Sequence, residues 1–303
     1  MHVPAERVES DPAAPYSVGT ALQVEAVLPA AVMRDHQVVI DYQNRRLTFA
    51  SPDMIKPQGV PVDFRAHPET GLIEVQAEIA GRSYAVTIDN GSAYTWFRQE
   101  TAKSWLRANP KWERGVGAVG ASNMMMADDG TEAAGTLLRI PEMRLAGLTL
   151  MNVGALAPGR GRPLPGNLDL FDWYSKKNIA SVIGWIGGNV IKSFRLTIDY
   201  PNHILYWLKF AEADRDDLNQ VGLTLASRAG VYLVAGIAQK NHRATVQGGA
   251  VGDQLLEIEG LKTKAATWGE IYDGLHGKPG ESRRLMLQRG ASTITVRAPV
   301  TAF

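Results

Sequence analysis

The chain has 303 residues, of which 45% are hydrophobic and 21% charged, with Lys plus Arg at 32 against Asp plus Glu at 31. That length suggests two domains with ample apolar material for packed cores. A net charge of +1 without a long single-sign block argues against nucleic acid or an anionic membrane surface as the main partner, and the absence of cysteine excludes disulfides, thiolate nucleophiles and Cys-ligated zinc.

The N-terminus, "MHVPAERVESDPAAPYS", is polar and proline-bearing and has no apolar signal core. It leaves three readings: a cytosolic chain, a processed one, or one whose natural start lies upstream. No apolar run is long enough to span a bilayer. Residues 1–18 read as loosely attached. "VVIDYQNRRLTF" (38–49) is two short strands about a turn at Gln43-Asn44. It returns much later as "LTIDYPNHILYW" (196–207). Ile40, Asp41, Tyr42, Asn44 and Leu47 match Ile198, Asp199, Tyr200, Asn202 and Leu205 at one constant offset, with Asp199 lying 158 residues after Asp41. An internal repeat is a fold-level clue; a chance likeness of two hairpins is the other reading.

"LIEVQAEIAGRSYAVTID" predicts two strands around an Ala80-Gly81 turn. Residues 100–109 read as a short helix with Trp105 and Leu106 inward. Residues 110–135 are Gly- and Met-rich and irregular. Strands return at "TLLRIPEMRLAGLTLMNVGAL", followed by a long loop over 157–180 that carries "LDLFDWY". A loop of that length in a compact domain is usually functional or mobile. "AEADRDDLN" (211–219) reads as a charged linker. Beyond it come short strands at "GLTLAS", "YLVAGIA", "QLLEIEG", "RRLMLQRG" and "STITVRAPV". One helix lies between Thr267 and Gly277, where Thr267 and Glu270 have capping-box spacing.

Several motifs fail on context. "GVGAVG" (115–120) fits Gly-x-Gly-x-x-Gly, but it does not leave a strand to open a helix, so it reads as a flexible glycine loop. The six histidines include no pair at metal-ligand spacing, and neither His-Glu-x-x-His nor Gly-x-Ser-x-Gly occurs. Met124, Met125 and Met126 read as loop packing or an apolar lining. No metal and no cofactor is expected.

"VTIDNGSAY" (86–94) holds the candidate carboxylate, Asp89. Taken alone, Asn90-Gly91 is a strong type I′ hairpin signal, and an Asp before it can cap the turn. Three features favour chemistry instead. The approach is a β-branched strand that brings Asp89 to the edge of a core. Gly91 and the hydroxyl of Ser92 follow at once. "VIGWIGGNVIKSFRLTIDYPN" then lies downstream, with Ile183-Gly184, a short glycine-bearing helix and a strand ending in Asp-Tyr-Pro-Asn.

On these residues the chain resembles the bacterial retropepsin-like (pepsin-type) aspartic proteases. That family runs a strand into Asp-Thr/Ser-Gly-Ala/Ser and follows it with an Ile/Leu-Leu-Gly-x-x-Phe-Leu helix and a Val-x-Ile-Asp-Tyr strand. The resemblance spans 60–208. Asn90 departs from it, standing where the family has Thr or Ser. The resemblance implies a mainly β fold, a closed β lobe with short helices, and an aspartic endopeptidase acting on extended polypeptides with Asp89 catalytic. Asn90, Gly91, Ser92, Ile183 and Gly184 would be supporting residues, with Ser92 bonded to the outer carboxylate oxygen. It also implies a hairpin flap, best matched by "MMMADDGTEAAGTLL" with its tip at Asp129-Gly130. The alternative is a peptide-binding scaffold on the same fold, inactive because of Asn90.

Residues 218–303 resemble a bacterial PDZ domain, on Val221-Gly222-Leu223, "GGAVGDQLLEIEGL", the helix "TWGEIYDGLHGKPGE" and "LMLQRGASTITV". The resemblance implies a β-sandwich with one or two helices that binds peptide C-termini or extended segments at its sheet edge. The carboxylate loop would be Gln220, Val221, Gly222 and Leu223. Ile271 and Leu275, four apart on one helix face, would line the groove or the core.

The expected organisation is a tail over 1–58 left from a preceding repeat, a protease-like domain over 59–210, a linker over 211–217 and the PDZ-like domain over 218–303. A cell-envelope, periplasmic setting follows from the resemblance alone. One Asp-x-Gly element is present where the chemistry needs two carboxylates. The second is therefore expected from a homodimer partner or from an upstream lobe.

Overall fold

A computed structural model describes residues 28–118, 130–160, 169–228 and 230–303. The tail at 1–18, the methionine run and the expected flap tip at Asp129 lie outside the described residues. The fold is mainly β, as expected.

The chain begins with a hairpin, β1 (Gln37–Asp41) and β2 (Arg46–Ala50), and continues through β3 (Val60–Asp63), β4 (Arg65–Ala66), β5 (Ile73–Ile79) and β6 (Arg82–Ile88). Ala80 and Gly81 both take positive φ, 52° and 75°, which closes the β5–β6 hairpin as the sequence predicts. Next come β7 (Thr95–Phe97), α1 (Gln99–Ala108), β8 (Arg114–Val116), and the long pair β9 (Thr136–Leu145) and β10 (Leu148–Ala157). The segment that follows carries α2 (Leu170–Ser175), β11 (Gly184–Ile186), α3 (Gly188–Ile191), β12 (Phe194–Asp199) and β13 (Ile204–Lys209). The remainder is β14 (Leu223–Arg228), β15 (Val231–Ile237), β16 (Gln239–Lys240), β17 (Arg243–Ala244), β18 (Gln254–Ile258), β19 (Leu261–Lys262), α4 (Trp268–Leu275), β20 (Ser282–Arg289) and β21 (Ser292–Pro299).

Three sheets organise these strands. In the largest, β5, β6, β11, β7, β10 and β9 are neighbours in that order, and a β9–β5 pairing closes the circuit into a barrel-like lobe. Alternation explains the closure: Val75, Ala77 and Ile79 of β5 face inward, as do Met143 and Leu145 of β9, all in one buried cluster. β8 extends this sheet to β16 and β17, so strands from beyond the expected linker join the lobe.

The second sheet has the order β2-β1-β12-β13-β3. It pairs the two repeated hairpins antiparallel, with Val38 opposite Ile198, Val39 opposite Thr197 and Ile40 opposite Leu196. The repeat extends to detail. Asn44 donates from its backbone and side chain to Asp41 at 2.9 and 3.0 Å, and Asn202 does the same to Asp199 at 3.2 and 3.0 Å. The turns also share a left-handed residue, Arg45 at φ 51° and His203 at φ 57°.

The third sheet, β14-β15-β18-β20-β21 with β19 beside β18, packs its apolar face against α4. Thr267 caps α4 in the expected capping box with Glu270. Ile271 and Leu275 are fully enclosed in this core with Val221, Leu223 and Leu225. They therefore hold the helix on the sheet and present no surface to a groove.

The charged stretch 211–219 differs from a solvated linker. Its last residues, Asp217, Leu218 and Asn219, are buried. A carboxylate tolerates such burial only with partners, and Asp217 has two: Arg139 at 2.8 Å and the Asn189 amide at 2.8 Å. Burial nevertheless pushes its carboxyl above the usual range, with Arg139 and Asn189 opposing.

Candidate active site

Asp89 follows β6 directly and is half-buried, while Asn90 and Gly91 are exposed. The loop is not the type I′ hairpin that Asn-Gly suggests. Neither Asn90 nor Gly91 has positive φ, and β6 and β7 are separated by β11, which lies parallel to β6 and antiparallel to β7. The tertiary insertion of β11 overrides the local turn preference.

Interposed β11 is what holds the loop open. Asp89 N–H donates to the Ile186 carbonyl at 3.0 Å. Gly188 and Asn189 N–H, at the start of α3, donate to the Ser92 and Ala93 carbonyls at 2.7 and 2.8 Å. Asn189 grips again with its side chain, whose oxygen accepts from Thr95 N–H and Oγ1 at 2.9 and 3.0 Å. Its amide donates to the Gly154 carbonyl and to Asp217. Gly184 is required by close approach, because a Cβ there would meet the Trp96 carbonyl. Ile183 bridges two segments, donating to the Ala85 carbonyl and accepting from Arg98 N–H.

The Asp89 carboxylate has two hydrogen bonds. Oδ1 accepts from Gly91 N–H at 3.0 Å, and Oδ2 accepts from the Tyr174 hydroxyl at 2.9 Å. Tyr174 comes from α2, inside the "LDLFDWY" cluster of the long loop. Burial, then the Asp89 charge, pushes its hydroxyl far above the ordinary tyrosine range, so it stays a protonated donor. Arg98 fixes α2 by ion pairs to Asp172 at 2.7 Å and Asp169 at 3.5 Å, with further bonds to Ser175 Oγ and the Val182 carbonyl. Tyr174 carries no motif signal of its own; the long loop and its aromatic cluster are the only hints in the sequence.

Ser92 is buried beneath the loop. Its hydroxyl donates to the Tyr94 carbonyl at 2.9 Å and accepts from Trp185 Nε1 at 2.8 Å. Trp185 in turn stacks on Trp96 at 5.6 Å between ring centroids. Among the described residues, the Asn90 side chain makes no hydrogen bond, Asp89 is joined to no second carboxylate, and no group of three or more His, Asp or Glu is placed to hold a metal ion.

The expected carboxylate loop is engaged internally. Gln220 N–H donates to the Thr301 carbonyl at 3.2 Å and Val221 N–H to the Leu275 carbonyl at 3.1 Å. Gly222 turns the chain at φ +86° with Thr245 packed against it. The Gln220 amide is fully buried, and among the described residues neither its oxygen nor its nitrogen has a hydrogen-bond partner.

The α4 module docks beside the Asp89 loop. The Tyr94 and Tyr272 hydroxyls are hydrogen-bonded, and Tyr94 also donates to the Asp217 carbonyl at 2.9 Å. A cavity of about 290 Å³ lies between Ala93, Tyr94, Gly188 and Lys192 on one side and Trp268 and Tyr272 on the other. Phe303 reaches back from the module into the aromatic cluster of Tyr94, Trp96, Phe171 and Trp185. Its carbonyl accepts from Arg139 Nε and Nη2 at 3.2 and 3.0 Å.

No family model and no curated protein matches the chain. Among solved structures, a retropepsin-like aspartic protease from Rickettsia conorii aligns over 52% of this chain and 98% of its own, at 12% identity and a TM-score of 0.30. So loose a superposition transfers neither fold nor activity to this chain.

Proposed function

We propose that residues 59–210 form one lobe of an aspartic-protease-type site that hydrolyses peptide bonds in extended polypeptides, with Asp89 as its carboxylate. The observation that carries this reading is the mounting of Asp89. A half-exposed carboxylate sits at a strand end, on a loop held open by β11 and α3 rather than closed into a hairpin. A structural turn-capping aspartate needs none of that scaffolding.

In this reading Asp89 works with a second carboxylate from a like lobe. Two carboxylates in contact share one proton, because both cannot ionise together. The ionised one takes a proton from water as the water oxygen bonds to the scissile carbonyl carbon, and the protonated one gives its proton to the carbonyl oxygen. The amide nitrogen is then protonated as the C–N bond breaks. Tyr174 stays a hydrogen-bond donor throughout and orients Asp89.

Residues 218–303 are read as a PDZ-like module presenting peptide beside this site. The placement of α4 against Tyr94 supports that reading, and the engaged N–H groups of Gln220 and Val221 weigh against capture of a free carboxylate at that loop. A second reading, a peptide-binding scaffold without hydrolysis, is favoured by Asn90, whose side chain makes no hydrogen bond among the described residues.

Asp89→Asn tests the assignment. Cleavage of an unstructured peptide library should be abolished while the thermal melt stays within a few degrees of the parent. Equal cleavage by parent and mutant removes the catalytic assignment; no cleavage by the parent under any assembly state selects the scaffold.

A further inference from the structure

Two pairs of strands beyond residue 218 set like charges directly against each other. The β16–β17 hairpin closes on Asn241 and His242, both left-handed at φ 51° and 62°, and this two-residue turn fixes Lys240 opposite Arg243. On the third sheet, Arg297 of β21 stands opposite Arg284 of β20. Like charges directly across antiparallel strands are destabilising. Glu257 relieves Arg284 with an ion pair at 3.0 Å. Among the described residues, Lys240, Arg243 and Arg297 have no carboxylate partner.

These three uncompensated cations line one cavity of about 460 Å³ between the hairpin and the end of β21. That volume falls within the roughly 300–1,000 Å³ of small-molecule sites. No Asp or Glu lines it, and its apolar lining residues are Ala244 and Pro299. A ligand of this cavity is therefore polar and anionic. Donors for it are at hand. The Arg243 guanidinium has no partner among the described residues, and Arg297 gives only Nη1, to Ser282 Oγ at 3.2 Å. Lys240 is anchored at the rear, donating to the Ala302 carbonyl and lying 6.0 Å from the centre of the Phe303 ring. Asn241, Gln247 and Thr301 add uncharged donors.

We infer that this cavity binds a multiply charged phosphate-class oxyanion, namely a diphosphate group. One phosphate carries about −1.5 to −2 at neutral pH and falls short of three cations, whereas two joined phosphates match them. Guanidinium forks bond phosphate oxygens in pairs, and a lysine serves as a point charge. The bound anion would also act between two parts of the fold. β16 extends the lobe's sheet through β8, while Arg297 lies on the last strand of the module, so the ligand would tie the two together.

Sodium pyrophosphate, titrated into the intact chain at ionic strength held constant with sodium chloride, tests the site. Calorimetry should show saturable binding, and the melting temperature should climb with ligand concentration. Arg243→Gln and Arg297→Gln should each weaken binding by about tenfold or more, the effect of losing one charged hydrogen bond. Without ligand, neither variant should melt below the parent, because each relieves a like-charge contact. Arg82→Gln removes the same charge from the exposed turn of the β5–β6 hairpin and should leave the affinity unchanged. Adenosine diphosphate distinguishes two sources of the group: binding of both compounds assigns the site to a terminal diphosphate, and binding of pyrophosphate alone assigns it to the free ion. Three results overturn the inference: no saturable binding of pyrophosphate, equal binding by the double variant Arg243→Gln/Arg297→Gln, or citrate binding as tightly as pyrophosphate. None of these readouts depends on peptide cleavage.

Discussion

At Asp89 the decisive partner is Tyr174, a residue 85 positions away in sequence that donates to Oδ2 from a half-buried place on α2. Removing that donor leaves the carboxylate with the Gly91 amide alone. A hydrogen bond to a charged group contributes about 1.5–3 kcal/mol. If peptide hydrolysis is measured, Tyr174→Phe should lower kcat by roughly tenfold or somewhat more, with little change in KM, because the tyrosine orients the carboxylate rather than the substrate. A fall in KM affinity with kcat intact would instead place Tyr174 on the substrate. Part of this site was legible beforehand. Asp89, Gly91 and Gly184 carry signatures of strand end, turn and close approach. Tyr174 carries none, since only the fold decides which aromatic of a long loop reaches a carboxylate.

Two elements bear the geometry of the loop and of the module beside it. β11 is wedged between β6 and β7, and Gly184 is where it crosses Trp96. Gly184→Ala should cost at least about 2–3 kcal/mol by overpacking, because the obstructing atom is backbone and cannot rotate away. Chemical denaturation reads this directly; an unchanged midpoint would mean that β11 has room to shift.

Helix α4 ends at His276, which is half-buried and stacked on Tyr272. Burial lowers its pKa below the ordinary histidine value, opposed by the Tyr272 carbonyl and by Asp273 and Asp214. The unfolded chain then binds a proton before the folded one does. Stability is complete above the ordinary value of about 6.5 and declines as the pH falls below it. The melting temperature of the native protein should therefore drop between pH 7 and 5 more steeply than that of His276→Gln. Parallel curves would show that His276 does not titrate on unfolding in that window.

On the scale of the whole molecule, the lobe and the module are joined through buried polar chemistry. Arg139 on β9 binds Asp217, the Asn152 carbonyl and the Phe303 carbonyl, and Asp217 passes the contact to Asn189 and so to the Asp89 loop. Breaking one member of a buried pair strands the other charge and typically costs about 3–5 kcal/mol. Arg139→Ala should therefore destabilise the protein by that order, and adding Asp217→Asn should restore part of the loss. Calorimetry should also show the module over 218–303 melting apart from the lobe once this bridge is gone. A single unchanged transition would assign the coupling to the β8–β16 pairing and the Phe303 ring instead.

Sequence alone determined what depends on neighbouring residues. Alternation predicted the strands of the lobe and of the module. Thr267 and Glu270 announced the cap of α4, Ala80-Gly81 announced its hairpin, and the Asp41 and Asp199 segments declared the repeat. These are local preferences, written within a few residues. Tertiary structure alone decided what depends on distant ones. It turned Asn90-Gly91 from a hairpin into an open loop by inserting β11, placed Tyr174 on Asp89, and drew Ile271 and Leu275 into a core. It buried the end of an apparent linker against Arg139, and it laid one copy of the repeat antiparallel on the other. The physical reason is the range of the forces: turn and cap preferences act over a few bonds, while packing and buried charge act between any residues the fold brings together.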